Sequence, residues 1–251
     1  MGRIIVVSSG KGGVGKTTMV ANLAAAMAQM GKNVVAVDAN LTTSNLGLHL
    51  GIPMYPKSLQ DVMDGKANMR EAIYHHSAGF KVLPADISYI RQLEPKKNQL
   101  MNAIYALAES ADIVLIDSAA GLGREARAAI ETADEMITVT HPEMTALTDA
   151  LKLTKVAESA GTRNLGIILN MVRGEKHEIS DAEVQSFLGS SLIGKVHESR
   201  DVRASIAHKE PVVIHKPDSR PARQITAIAA RIAGYQQPEP SLFERMFGWL
   251  R

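Results

Sequence analysis

A glycine-rich segment near the amino terminus constrains the fold of this chain more than any other feature. Residues 10–18 read Gly-Lys-Gly-Gly-Val-Gly-Lys-Thr-Thr, after an apolar run at 4–7 and before an alanine-rich helical pattern at 17–30. A strand, a loop with the spacing G-x-x-x-x-G-K-[ST] and a helix are typical of a loop that surrounds phosphate groups with backbone N–H groups. A glycine-rich turn without a ligand is the alternative, and it leaves the lysine and the threonine without a role.

The residue types in this loop predict a site for a nucleoside triphosphate and Mg²⁺. Glycine permits the tight turn, and the N-terminus of the following helix adds partial positive charge. We expect Lys16 to reach the β- and γ-phosphates and the Thr17 hydroxyl to bind Mg²⁺. The residues predicted to hold the phosphates are Gly12, Gly13, Val14, Gly15, Lys16, Thr17 and Thr18.

Apolar runs alternate with helical patterns along the rest of the chain. Runs typical of buried parallel strands lie at residues 4–7, 34–37, 81–83, 113–116, 136–139, 165–169 and 192–196. Helical patterns lie at residues 17–30, 58–64, 96–110, 124–132, 143–160, 181–188, 202–208 and 220–233. This alternation predicts an α/β fold, a doubly wound and mainly parallel sheet of about seven or eight strands with helices on both faces. Ligands of such sheets bind beyond the carboxyl ends of the strands.

Length and composition fit one domain with an appended tail. Of the 251 residues, 45% are hydrophobic, which is enough for a complete core. We expect one domain at 1–235, a proline-rich linker at 236–240 and a tail at 241–251, with two smaller domains as the alternative for this length. The 28 basic and 26 acidic residues are too balanced to indicate DNA as a partner.

Several function classes are excluded by what the sequence lacks. Without cysteine it cannot form disulfides or hold a cysteine-ligated metal cluster. Its apolar runs stay below the roughly 20 residues of a membrane-spanning helix, and strand-like residues begin too early for a signal peptide. We therefore expect a cytoplasmic protein.

Two aspartates follow predicted strands and are candidate metal ligands. Asp38 ends the second apolar run, and Asp117 follows four apolar residues at the end of the fourth. Carboxylates at this edge of a sheet can bind Mg²⁺ directly or through a water molecule. Together with Thr17, Asp38 and Asp117 form the predicted metal site, and an aspartate that caps a turn is the alternative for Asp38.

A second lysine, Lys11, lies inside the loop, and Lys-Gly-Gly-Val-Gly-Lys-Thr-Thr resembles the deviant Walker A motif of the MinD/ParA ATPases. The segments after Asp38 and around Asp117 resemble switch I and the Walker B motif of that family. The resemblance implies a P-loop NTPase fold, ATP with Mg²⁺ as cofactors, and ATP hydrolysis. It also implies a homodimer in which Lys11, as a catalytic residue, reaches the partner's nucleotide. A contact of Lys11 with its own phosphates is the alternative.

Asn40 departs from the family pattern, in which D-x-D ends the second strand. The second aspartate of that pattern orients the attacking water, and this chain carries an amide in its place. An amide accepts a hydrogen bond from water but is a much poorer proton acceptor than a carboxylate. We expect binding of ATP and Mg²⁺ to persist and hydrolysis to be slow, whether Asn40 is natural or engineered.

Asn170 ends the sixth apolar run and is the candidate for contact with the base. Its amide can pair with both a donor and an acceptor on the edge of adenine, which the resemblance supports. A capping role is the alternative.

The last eleven residues, Ser-Leu-Phe-Glu-Arg-Met-Phe-Gly-Trp-Leu-Arg, form an amphipathic pattern after the proline-rich linker. At 100° per residue the apolar side chains share one arc. Arginine on the polar face and tryptophan on the apolar face are typical of a helix that lies in a membrane surface. A helix docked on the domain and a disordered end are the alternatives. The predicted membrane contacts are Leu242, Phe243, Met246, Phe247, Trp249 and Leu250.

The resemblance covers the chain from the glycine loop to the tail. It implies a MinD-like ATPase that pairs with ATP, attaches reversibly to the inner face of the cell membrane and controls the position of the division site or of another object. An activating or cargo protein is the expected further partner. A ParA-like factor that positions cargo on DNA is the alternative, and the balanced charge and the tail argue against it.

Overall fold

A computed structural model describes residues 1–52, 55–87 and 97–235 of the chain. The predicted linker and membrane-targeting helix at 236–251 lie outside the described residues. The strands are β1 (Arg3–Ser8), β2 (Val34–Asp38), β3 (Tyr74–His75), β4 (Lys81–Leu83), β5 (Ile113–Asp117), β6 (Glu135–Thr140), β7 (Arg163–Val172) and β8 (Leu192–His197).

Helices connect these strands. Five of them lie in the first half of the chain: α1 (Lys16–Gln29), α2 (Leu46–His49), α3 (Leu59–Met63), α4 (Met69–Ala72) and α5 (Lys97–Ala108). The others are α6 (Arg124–Thr132), α7 (Met144–Ala160), α8 (Asp181–Leu188), α9 (Arg200–Ala207), α10 (Val212–His215) and α11 (Arg220–Ile232). Within the described ranges, no helix combines the length and the apolar character needed to cross a bilayer.

The strands form one eight-stranded sheet in the order β3-β4-β2-β5-β1-β6-β7-β8. Every neighbouring pair is parallel except β3 with β4. The predicted doubly wound, mainly parallel sheet is therefore confirmed. All seven predicted strands are present, and the one missed strand, β3, is two residues long and too short to show a periodic pattern.

Both faces of the sheet are covered, which explains why its strands have continuous apolar sequences. In β1, Ile5 and Val7 lie in the core cluster that includes α1 and α11. Ile4 and Val6 lie in the cluster on the other face, which includes α5 and α6. Successive side chains of a strand point to opposite faces, and here both faces are apolar.

The strand register brings the predicted site residues to one edge of the sheet. Asp38, at the end of β2, pairs with Asp117 at the end of β5. Asp117 also pairs with Val7 of β1, directly before the glycine loop. The carboxyl edge therefore places both candidate metal ligands beside the start of the loop.

Candidate functional site

The glycine loop turns sharply into α1, as the motif predicts. Gly15 has a φ of +89° immediately before the helix, in the left-handed region that favours glycine. A Cβ at Gly15 would also lie 2.4 Å from Nδ2 of Asn170. Gly10 is equally restricted, since a Cβ there would lie 2.3 Å from the carbonyl carbon of Asp149 in α7. Backbone conformation and close packing thus both require glycine in this loop.

Lys16 and Thr17, the first two residues of α1, meet the end of β5. Lys16 is buried, and this burial lowers the pKa of its ammonium, partly offset by the negative charge of Asp117. The Thr17 hydroxyl donates a hydrogen bond of 2.6 Å to Oδ2 of Asp117. The sequence reasoning placed these three groups at one site, and the structure brings them together.

The second carboxylate oxygen of Asp117 fits a role in metal binding. Oδ1 is buried and accepts no hydrogen bond from any described residue. A buried carboxylate oxygen without a partner costs free energy unless a ligand or water satisfies it. Mg²⁺ prefers carboxylate and hydroxyl oxygens, so Asp117 and Thr17 are the residues that would hold it.

Asp38 has a structural task that the sequence left as an alternative. Its Oδ2 accepts hydrogen bonds from the Ser44 hydroxyl at 2.8 Å and from the backbone N–H groups of Asn45 and Leu46 at 3.1 and 3.0 Å. Its Oδ1 accepts one from the Asn40 N–H at 3.1 Å. Asp38 thus holds the segment between β2 and α2 in place, and its role as a metal ligand stays a prediction.

Burial raises the pKa values of both aspartates, and the charge of Asp38 adds to the shift of Asp117. Asp38 is fully buried, and desolvation raises its pKa to about 6. The hydrogen bonds to its carboxylate act in the opposite direction and lower the pKa. Desolvation raises the pKa of Asp117 to about 7, with the charge of Asp38 as the next cause. Two adjacent buried carboxylates favour a cation between their negative charges, which fits a site for Mg²⁺.

Asn40 uses its amide to fold its own loop. The side-chain oxygen accepts hydrogen bonds from the Thr43 N–H at 3.3 Å and the Thr43 hydroxyl at 3.0 Å. The side-chain Nδ2 donates to the Thr43 carbonyl oxygen at 2.8 Å. Asn40 and Thr43 also line the cavity over the glycine loop. Asn40 thus lies at the cavity in which we expect the terminal phosphate, but the hydrogen bonds of its side chain are made to Thr43 of its own loop.

A cavity of about 730 Å³ lies over the glycine loop. Most of the predicted phosphate-binding residues line it, namely Gly12, Gly13, Gly15, Lys16, Thr17 and Thr18. Val14 is buried below it. The described residues of this lining include no carboxylate, and its charged side chains are lysines. The cavity therefore has the size and charge for a polyanion.

Asn170 lies at a second cavity of about 230 Å³, which shares Thr18, Met171 and Ile206 with the first. The Asn170 side chain is buried, and its Nδ2 donates a hydrogen bond of 2.8 Å to the carbonyl oxygen of Val14. Asn170 therefore supports the glycine loop. Contact between its amide and a base in the second cavity stays a prediction.

Lys11 does not line the cavity over its own loop. Its side chain is about half exposed, and its Nζ lies 4.0 Å from a carboxylate oxygen of Glu143, just before α7. The Ser9 hydroxyl fixes the backbone here by donating to the Lys11 carbonyl oxygen at 2.7 Å. In this conformation Lys11 adds no charge to its own phosphate cavity.

Sequence reasoning missed the walls of the cavity that come from distant elements. Leu48 of α2, Met171 of β7, Ile206 of α9 and Lys209 line it together with the glycine loop. Leu48 lies in the segment after Asp38 that resembles switch I, but the other three belong to no local motif. Of those three, Met171 gave a signal that could have been used, since it directly follows Asn170 near a strand end.

The glycine loop, the adjacent lysine and threonine, and two aspartates at the carboxyl edge of a parallel sheet define a P-loop NTPase. A family model described as "ParA: NUBPL iron-transfer P-loop NTPase" matches residues 1–233. The chain belongs to this ParA family, and it is an ATP-binding protein with the ATPase machinery of MinD and ParA proteins.

Similar proteins include both an uncharacterized relative and solved structures. An uncharacterized ATP-binding protein of Methanocaldococcus jannaschii is 39% identical over 92% of this chain and 87% of its own length. The cell division ATPase MinD of Pyrococcus furiosus is 35% identical, with a TM-score of 0.89 over 93% of this chain and 99% of that one. The septum site-determining protein MinD of Pyrococcus horikoshii, complexed with Mg-ADP, is 35% identical, with a TM-score of 0.88 over 92% and 96%.

Proposed function

We propose that this ATPase is a MinD-like switch that pairs with a second copy when it binds MgATP and then attaches to the cell membrane. It would work in the cytoplasm and on the inner face of the membrane, where it controls the position of the division site or of another cell component. The position of Lys11 carries the proposal. A lysine inside a phosphate loop that stays outside its own phosphate cavity is available for the nucleotide of a partner.

Apolar side chains at the mouth of the cavity support pairing. Leu48 is 43% exposed, and Met171 and Ile206 are each 36% exposed, although all three line the cavity. Neighbouring exposed apolar side chains are typical of a protein interface. A second copy that covered the mouth would bury them and would exclude water from the nucleotide.

The tail supports membrane attachment that depends on pairing. Six large apolar side chains in an eleven-residue segment would bind lipid only weakly, because helix formation in so short a segment is costly. Two such tails on one dimer bind far more tightly, since the second one inserts at high effective concentration. ATP-driven pairing would therefore switch attachment on, and hydrolysis would switch it off.

The amide of Asn40 supports the proposal that the ATP-bound dimer is long-lived. The amide cannot take a proton from the attacking water as a carboxylate would. Its oxygen and nitrogen are also engaged with Thr43. Slow hydrolysis would prolong the ATP-bound pair until another protein stimulates it.

The first experiment measures pairing. Molar mass is determined by light scattering after gel filtration with MgATP and with MgADP, for the wild type and for Lys11→Ala. Lys155→Ala is the matched control, since Lys155 is exposed on α7 and pairs locally with Glu158. We expect dimers for the wild type and the control with ATP only, and monomers for Lys11→Ala. A wild-type monomer with MgATP would reject the pairing proposal.

The second experiment measures attachment by co-sedimentation with anionic liposomes. Trp249→Glu places a charge in the proposed lipid face, and Phe187→Glu is the control at an exposed aromatic residue of α8. We expect ATP-dependent sedimentation of the wild type and of Phe187→Glu, and none of Trp249→Glu. Equal binding by all three proteins, or equal binding with ATP and ADP, would contradict the proposal. Salt-sensitive DNA retardation without liposome binding would favour the ParA-like alternative.

A further inference from the structure

Two residues other than glycine have a left-handed backbone in the described part of the chain. They are Met171, with a φ of +54°, and Lys209, with a φ of +57°. Both line the cavity over the glycine loop. A side-chain-bearing residue in this region is disfavoured by contact between its Cβ and its own backbone. Such positions persist where the surrounding structure fixes them, and they concentrate at functional sites.

Lys209 directly follows the C-cap of α9, a position at which glycine is common. It follows α9, and its N–H donates to the Ile206 carbonyl oxygen at 2.9 Å, while the Glu210 N–H donates to the Ser205 carbonyl oxygen at 3.0 Å. This pair of hydrogen bonds is typical of a helix end at which glycine takes the left-handed conformation. The chain places a lysine there instead, although glycine would adopt this backbone conformation at lower cost.

The lysine stem packs against Gly51, directly after α2. A Cβ on Gly51 would lie 3.2 Å from Cβ of Lys209 and 3.7 Å from its Cδ. Gly51 therefore leaves room for this stem between the end of α2 and the end of α9. Lys209 lies in the wall of the cavity, together with Leu48 and His49 of α2 and Ile206 and Ala207 of α9.

The charge in the cavity indicates what Lys209 binds. Of the described side chains in the lining, Lys16 and Lys209 carry positive charge, and the first belongs to the glycine loop. We propose that Lys209 is a second nucleotide-binding lysine, which contacts the polyphosphate of ATP from the α9 side of the cavity. The charge-assisted hydrogen bond to a phosphate oxygen compensates for the backbone strain at this position.

Three substitutions at this position separate charge from backbone conformation. Lys209→Met keeps the stem and the strain but removes the charge, Lys209→Arg keeps the charge, and Lys209→Gly removes both charge and strain. Lys155→Met is the control at an exposed lysine with a local partner. Calorimetric titration gives the MgATP affinity at low and at high NaCl concentration, and thermal unfolding without nucleotide gives the midpoint Tm.

We expect Lys209→Met and Lys209→Gly to bind MgATP about 10- to 150-fold more weakly at low salt, the range for one charge-assisted contact. The difference from the wild type should shrink at high salt, because salt screens an exposed charge. Lys209→Arg and Lys155→Met should stay close to the wild type. Lys209→Gly should unfold at the wild-type Tm or above, so that affinity falls while stability does not.

Two results would overturn the proposal. One is MgATP affinity within twofold of the wild type for both Lys209→Met and Lys209→Gly. The other is a loss of affinity that is equal at low and high salt, because a lost wall contact would then explain it. Both measurements are repeated in the Lys11→Ala background, which is expected to stay monomeric with MgATP, so that the result does not depend on pairing or on membrane attachment.

Discussion

The substitution Asn40→Asp tests the chemistry of the loop that follows β2. The wild-type side chain makes three hydrogen bonds to Thr43, two through its oxygen and one from Nδ2 to the carbonyl oxygen. An aspartate keeps the two bonds that the oxygen accepts. It replaces Nδ2 by a carboxylate oxygen, which is repelled by the Thr43 carbonyl oxygen at 2.8 Å. That oxygen should therefore turn away from Thr43 and become available to a water molecule.

Asn40→Asp should change both the stability of the loop and the free-energy barrier to hydrolysis, and the two changes differ in size. Loss of one hydrogen bond at a partly exposed site costs about 1 kcal/mol of loop stability, and the charge strengthens the two remaining bonds. A carboxylate that accepts the proton of the attacking water should lower the barrier by at least about 1.4 kcal/mol, which is a tenfold increase in rate. In free energy, the lowering of the barrier should thus exceed the loss of loop stability.

Steady-state phosphate release with saturating MgATP measures the effect. We expect a rate at least tenfold above the wild type for Asn40→Asp, with an ATP affinity that changes by less than about threefold, since neither Lys16 nor Thr17 is altered. Asn40→Ala is the control, because it also frees the loop but adds no proton acceptor. An unchanged rate in Asn40→Asp, or an equal increase in Asn40→Ala, would refute the reasoning.

The remaining predictions concern the phosphate site. Asp117→Asn removes a carboxylate whose pKa burial raises to about 7. The folded wild type binds more protons than the unfolded chain between about pH 4 and 7, so its stability falls as the pH rises through this window. Thermal unfolding of the nucleotide-free variant should show a smaller fall, since Asp38, whose pKa burial raises to about 6, still contributes its own, while calorimetry should show at least tenfold weaker binding of MgATP. Gly10→Ala places a Cβ 2.3 Å from the carbonyl carbon of Asp149, and urea denaturation should show a loss of about 1–3 kcal/mol together with impaired ATP binding. Asn170→Ala removes the hydrogen bond to the Val14 carbonyl oxygen, and calorimetry should show at least fivefold weaker ATP binding; wild-type affinity would contradict a supporting role.

The sequence predicted the elements that carry a strong local signal. Apolar runs predicted seven of the eight described strands, and the loop motif predicted the strand–loop–helix unit around Gly15. Lys16, Thr17 and Asp117 were placed at one site because parallel strands end at a common edge. The start of α9 at Arg200, two residues before the predicted one, is the usual imprecision of a helix boundary.

The sequence could not predict contacts that depend on how the loops fold. Asp38 fits two roles from its position alone, and only the structure shows four hydrogen bonds to its carboxylate from the segment before α2. Lys209 belongs to no sequence motif, and a lysine in the left-handed region cannot be recognised from the sequence pattern. The support that Asn170 gives to Val14 joins residues 156 positions apart.

The bonding of the two aspartates limits how a metal ion can enter the site. A carboxylate offers about four lone-pair sites, and Oδ2 of Asp38 already accepts three hydrogen bonds. The remaining lone pairs lie on Oδ1 of Asp38, which accepts one hydrogen bond, on Oδ2 of Asp117, which accepts one from Thr17, and on the unpartnered Oδ1 of Asp117. A metal ion that bound through Oδ2 of Asp38 would release Ser44 and the N-terminus of α2. One held through Oδ1, directly or by a water molecule, would leave that segment folded, so the choice of oxygen decides whether metal binding moves the loop that carries Asn40.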